Sequence, residues 1–137
     1  LSADPKKNLN APVLKSAVPY LDFSPLQNAL EALEGEAASF SKIDFTSLSK
    51  SKRETLNEML MKAEQQLTSP DGLPRRSWYK HQIYAPGFYT GYGVKTLPGV
   101  REAIEQRDWK EAQSEIEKLA GTLKSMANHL NGINAMD

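Results

Sequence analysis

The sequence contains no cysteine. Disulfides, iron–sulfur clusters, thiol nucleophiles and cysteine-type zinc sites are thereby excluded, while the redox compartment is left open. Histidine is nearly as scarce: His81 and His129 are the whole supply, and neither has an HExxH partner or a second histidine beside it. A hydrolytic zinc site takes three His or carboxylate ligands at short spacing on firm elements, so no self-contained metal site, and no other cofactor, is expected in this chain. His81 is read as a structural hydrogen-bonding residue, and His129 as a last-turn residue favourable to a helix dipole. Charge of one sign is also missing, because 17 Lys+Arg face 17 Asp+Glu. That balance removes the long-range positive field of a nucleic-acid binder and the basic excess that draws a protein to anionic membranes. No segment approaches the roughly 20 apolar residues of a membrane span, and the first residues, Leu1 to Asn8, lack the apolar run of a signal peptide. No Asn-x-Ser/Thr sequon and no Gly-x-Ser-x-Gly elbow occur. The Gly-rich run Gly87 to Gly93 lacks the Lys-Ser/Thr ending of a phosphate loop. The chain by itself is therefore not expected to be an enzyme.

What is present fits one domain of 137 residues and 15.2 kDa, 39% hydrophobic. Residues 1–23 are punctuated by Pro5, Pro12 and Pro19 and read as an extended arm, which Val13, Leu14, Val18, Tyr20 and Leu21 would allow to pack. The domain proper is 24–137. Ser24-Pro25-Leu26-Gln27 reads as N-cap, first-turn proline and capping-box glutamine, and Leu26, Ala29, Leu30, Leu33, Ala37 and Phe40 follow at helical spacing. Ser51-Lys52-Arg53-Glu54 reads as a second capping box opening a helix to about Thr68, where Pro70-Asp71-Gly72 stops it. Pro98 opens a short helix to residue 106. Asp108 caps a long one whose stripe, Trp109, Ala112, Ile116, Leu119, Ala120, Leu123, Met126, Ala127 and Leu130, is the most regular in the chain, with Gly132 and the polar Asn131 and Asn134 ending it. The fold class is all-α, a bundle of three to four long helices.

Between the helices lies 69–97, too long for a mere connection. It holds Trp78, Tyr79, Tyr84, Phe88, Tyr89 and Tyr92, more than half of the aromatic residues, interleaved with Gly72, Gly87, Gly91 and Gly93. Disordered segments are poor in aromatics, so an ordered, packed aromatic and Gly-rich loop is predicted. The cluster Arg75 to His81 mixes cations with aromatics, as platforms for single-stranded nucleic acid do. One reading of the chain is therefore a free-standing helical adaptor that binds a peptide or single-stranded RNA through this loop.

A second reading comes from a resemblance. The run Ser69-Pro70-Asp71-Gly72-Leu73-Pro74-Arg75-Arg76-Ser77-Trp78-Tyr79-Lys80-His81-Gln82-Ile83-Tyr84-Ala85-Pro86, then Tyr92 and Leu97-Pro98-Gly99-Val100, resembles the transferrin receptor-like dimerisation domain. That domain is the C-terminal helical part of glutamate carboxypeptidase II-like zinc peptidases of the M28 type. The resemblance implies a non-catalytic homodimerising bundle, with zinc and the catalytic groups in a peptidase domain of the same parent chain, outside this sequence. A start without methionine agrees with a piece of something longer. The implied parent family is often secreted or membrane-anchored with an extracellular domain, but neither membrane nor nucleic-acid contact is implied for this segment. By resemblance, Arg76, Trp78, Tyr79, His81 and Pro86 anchor the loop, and Tyr84, Gly91, Tyr92 and Lys95 border the substrate pocket. In glutamate-preferring members a Lys-Tyr pair at the tip binds the terminal glutamate. Here the pair reads Gly91-Tyr92, which keeps the phenol and loses the cation, leaving Lys95 as the nearby candidate to restore it. Trp109, Met126 and Leu130 are candidates for the dimer interface, and the same residues read equally well as core.

Overall fold

A computed structural model describes residues 13–136; residues 1–12, which hold the first part of the expected arm, and residue 137 lie outside it. Four helices follow in order: α1 Ser24–Phe40, α2 Lys50–Ala63, α3 Pro98–Gln106 and α4 Trp109–Asn134, with a 3₁₀ turn, Glu64–Leu67, extending α2. The bundle class expected from the periodicity is the one observed. What periodicity missed is a small antiparallel sheet in the long loop, β1 Tyr84–Pro86 against β2 Val94–Thr96, in the register Tyr84↔Thr96, Ala85↔Lys95 and Pro86↔Val94. Three-residue strands are too short to show alternation, so the hairpin left no periodic trace.

α4 is the spine. Its inward stripe, Ala112, Ile116, Leu119, Ala120, Ala127, Leu130 and Ile133, is buried. α1 lies along it in parallel: Gln113 exchanges hydrogen bonds with the Asp22 backbone at one end, and the Asn131 and Asn134 amides donate to Glu36 at the other. α2 runs the opposite way, its Leu56 packing with Leu130 and Ile133. Two apolar clusters result. One joins Leu48, Leu56, Leu130 and Ile133 with Leu33, Phe40, Ile43, Met59, Met126 and Met136 around them, and the other joins Val100, Ile116 and Leu119 with Leu21, Leu26, Ile83 and Ile104.

Several local expectations are corrected. Ser24 does not cap α1: its hydroxyl and amide both donate to the Asp22 carboxylate, at 2.6 and 2.9 Å, and these bonds hold Asp22 below the usual carboxylate range. The α2 cap is Ser49 rather than Ser51, accepting from the Lys52 amide at 3.3 Å. Asp108 does cap α4, through the Glu111 amide at 2.9 Å. α4 ends at Asn134, one of the three residues expected to stop it, and runs on through Gly132. A mid-helix glycine costs about 1 kcal/mol, and the burial of Ile133 together with the Asn134–Glu36 bond outweighs it. Among the described residues of the arm, 13–23 form no helix or strand; Val13, Leu14, Val18 and Tyr20 are exposed, while Leu21 reaches a core cluster. A polar clasp holds it instead, the Arg107 guanidinium donating to the Ser16 carbonyl and hydroxyl.

Candidate functional site

The loop opens with a tight double turn. Gly72 has φ +70°, and a Cβ at this position would run into the Ser77 backbone, so the turn closes only on glycine. The Leu73 amide donates to the Tyr79 carbonyl and the Arg76 amide to the Leu73 carbonyl. Lys118, from α4, donates to the Gly72 carbonyl.

This turn delivers two arginines to the helices. Arg75 forms a two-pronged pair with the Glu111 carboxylate at 2.8 and 2.9 Å. Arg76 is buried, and its Nη2 donates to Glu102 Oε2 at 2.8 Å. Glu102 is only 1% exposed, and its Oε1 accepts the Phe88 amide at 2.8 Å. The other Arg76 nitrogen, Nη1, donates to the Pro86 carbonyl. One buried ion pair therefore clamps β1 and the start of the tip onto α3. The guanidinium also lies 5.6 and 5.7 Å from the Tyr79 and Phe88 ring centres, a range in which the ring faces attract a cation. Glu102 escaped the sequence reading because its partners lie 14 and 26 residues upstream.

His81 sits between elements. The Ile83 amide donates to its Nδ1 at 3.2 Å, which leaves Nε2 to carry the proton toward Glu64 Oε1 at 3.1 Å. The same carboxylate oxygen accepts the Tyr84 hydroxyl at 3.1 Å, and that bond raises the phenol above its ordinary range. Trp78, expected to anchor the loop, stands 71% exposed in this chain, at the rim of an open hollow of about 400 Å³ lined by the 71–78 turn, Glu115 and Lys118. His129 is a correction. It lies short of the last turn, and its Nε2 donates to the Met59 carbonyl at 2.8 Å, tying α4 to α2.

Beyond the sheet the tip turns through Gly87 to Gly93, closed by the Gly87 amide on the Gly93 carbonyl at 2.8 Å and the Gly91 amide on the Gly87 carbonyl at 2.7 Å. Tyr92 projects from it almost fully exposed, with Tyr89 and Val94 also exposed. Lys95 is not free: its ammonium engages the Glu105 carboxylate, which Arg101 also reaches, and the lysine holds Glu105 below its usual range. The interface candidates separate as well. Leu130 is core, Met126 packs on the same cluster, and Trp109 lies 4.9 Å under the Arg107 guanidinium.

Glu115 is the least comfortable carboxylate of the site. Burial pushes it above the usual range, against the opposing pull of Lys118, whose ammonium stands 3.7 Å away. A raised carboxyl favours the folded state below its unfolded pKa and loses that contribution as pH rises through the higher folded value. Glu115→Gln is thus expected to raise the melting temperature at pH 7.5 and to leave it nearly unchanged at pH 4. An equal shift at both pH values would show that the carboxylate charge is not the cause.

Among the described residues no group of three His, Asp or Glu could hold a metal ion, and none of the helices is long and apolar enough to cross a membrane. Comparison with known proteins gives the architecture its context. The model of the transferrin receptor-like dimerisation domain matches residues 21–131. The chain belongs to this family. As a dimerisation domain it is similar to the corresponding part of a probable glutamate carboxypeptidase of Arabidopsis thaliana, 34% identical over 119 residues, covering 82% of this chain and 18% of that protein. A probable glutamate carboxypeptidase of Arthroderma benhamiae is 28% identical over 123 residues, 87% of this chain and 17% of its own length. A putative zinc metalloprotease of Saccharomyces cerevisiae is 36% identical over 83 residues, 55% and 10%. The dimerisation domain thus spans less than a fifth of the length of these relatives.

Proposed function

We propose that this dimerisation domain serves a zinc carboxypeptidase-like parent, and that its 69–97 loop forms one wall of the substrate pocket of the parent's peptidase domain. Zinc would belong to that other domain, since His81 and His129 are both committed to structural bonds here. The observation that carries the reading is the clamped tip: a buried Arg76–Glu102 pair holds in place a loop whose aromatic residues Tyr89 and Tyr92 remain exposed. Rigid, exposed aromatics are well suited to line a pocket, because little conformational entropy is lost when they bind.

The wall would be neutral. Lys95 is committed to Glu105, Arg75 to Glu111 and Arg76 to Glu102, so no loop cation other than Lys80, which donates to the Pro70 carbonyl, lacks a carboxylate partner. Charge-assisted bonds to a carboxylate are roughly twice as strong as neutral ones, and a wall without a free cation gives up that preference for a terminal glutamate.

Kinetics of the full-length protein test this. Tyr92→Ala is expected to raise KM for peptide substrates. Gly91→Lys should lower KM for a glutamate-terminated peptide about tenfold and leave a leucine-terminated one unchanged, while Lys95→Ala alters neither. A raised KM for the acidic peptide in Lys95→Ala would make Lys95 the pocket cation after all. Unchanged KM in all three variants would remove the loop from the pocket.

A further inference from the structure

The family assignment leaves open which surface of this chain meets its partner, and α1 carries an unused one. Phe23, Leu26, Leu30, Leu33, Ala37 and Phe40 recur at steps of three, four, three, four and three, the spacing of a helix packed along both sides of a seam. Leu26, Leu33 and Phe40 pack into the two core clusters. Phe23, Leu30 and Ala37 lie on the neighbouring edge and remain exposed, Leu30 at 46%. α2 repeats the arrangement: Leu56 is core, while Leu60, one turn on, is 39% exposed and Met61 beside it 81%. Leu33 and Leu56 belong to one cluster, so the edges that border them, Leu30 on α1 and Leu60 on α2, open from the same core. Four helical segments of a compact bundle would ordinarily cover such edges against one another. Here both helices pack on α4, and no covering helix lies over their outer edges among the described residues.

Charge decides the occupant. α1 carries Glu31, Glu34 and Glu36 and no basic residue, whereas α2 carries Lys50, Lys52, Arg53 and Lys62 against Glu54 and Glu58. Two α1 helices laid together would repel. α1 against α2 is complementary, with Glu34 flanking the Leu30 edge and Arg53, seven residues before Leu60, on the α2 edge. A two-fold operator supplies that pairing twice, because when α1 of one copy meets α2 of the other the reverse contact follows. We propose that the homodimer forms by α1 of each copy docking on α2 of its partner, with Leu30, Leu60 and Met61 as apolar anchors and Glu31 and Glu34 facing Lys50 and Arg53. This proposal rests on the dimerisation assignment and adds the surface to it.

The test is sedimentation equilibrium of the 137-residue chain over a hundredfold concentration range. The unchanged chain is expected to sediment as a dimer of twice 15.2 kDa. Leu30→Asp and Met61→Asp should each weaken association at least about thirtyfold, the loss typical of a central anchor. Circular dichroism checks that helices persist, and since Met61 is mostly exposed its variant stays folded even where Leu30→Asp does not. The paired reversals Glu31→Lys/Glu34→Lys and Lys50→Glu/Arg53→Glu should each weaken the dimer about tenfold, and the four together should restore it. A chain that is monomeric at every concentration overturns both this surface and self-association by this segment. A dimer that survives Met61→Asp and both reversals keeps the dimerisation assignment and overturns only the surface. Failure of the combined reversals to restore association overturns the α1–α2 pairing.

Discussion

Glu102→Ala is expected to destabilise the domain by about 3–5 kcal/mol, because it strands a buried arginine without its counter-charge. The carboxylate is 1% exposed and serves two donors, the Arg76 guanidinium and the Phe88 amide, both at 2.8 Å. Removing it leaves a cation that water cannot reach and an amide without an acceptor. A domain of this size has only about 5–15 kcal/mol to lose. Urea unfolding measures the total, and hydrogen exchange at the Phe88 amide locates the damage in the tip. Replacing both partners, Arg76→Met with Glu102→Leu, should recover much of the loss, since apolar pairs of similar volume often match or exceed a buried ion pair. A loss below about 1 kcal/mol for Glu102→Ala, the range of an exposed pair, would mean the clamp is not what holds the loop.

The second large effect belongs to Gly72→Ala, for which we expect a loss of about 2–4 kcal/mol from the left-handed backbone and the collision together. At φ +70° an L side chain is strained, and its Cβ would meet the Ser77 backbone, which cannot swing aside as a side-chain tip could. Opening the 72–77 turn also draws the Gly72 carbonyl away from Lys118 and shifts both arginines at the loop base. Gly35→Ala is the control. Gly35 lies inside α1 with open space where the methyl would stand, so the change should stabilise the domain by about 0.5–1 kcal/mol. Equal losses at both glycines by thermal unfolding would refute the steric account.

The helices were legible because their signals are local. A 3.6-residue stripe, a capping aspartate at Asp108 and a first-turn proline at Pro25 or Pro98 act within a few residues of the structure they set. Even there, individual caps slipped where a neighbour competed, as when Asp22 took the Ser24 hydroxyl. The loop's place between the helices was legible from its length and composition, yet its hairpin was not. Among the residues put forward for the site, Arg76 proved buried, Trp78 exposed and Lys95 ion-paired, and composition distinguishes none of these states.

The sequence by itself determined the helical class, the order of the four helices, the position of the long loop between them and, through the 69–100 motif, the family. Only the tertiary structure decided which charges neutralise which: Arg76 with Glu102, Arg75 with Glu111 and Lys95 with Glu105. The physical reason is range. Periodicity and capping are settled over one or two turns, whereas an ion pair between residues 10 to 36 apart exists only after the packing of α3 and α4 has brought the loop against them.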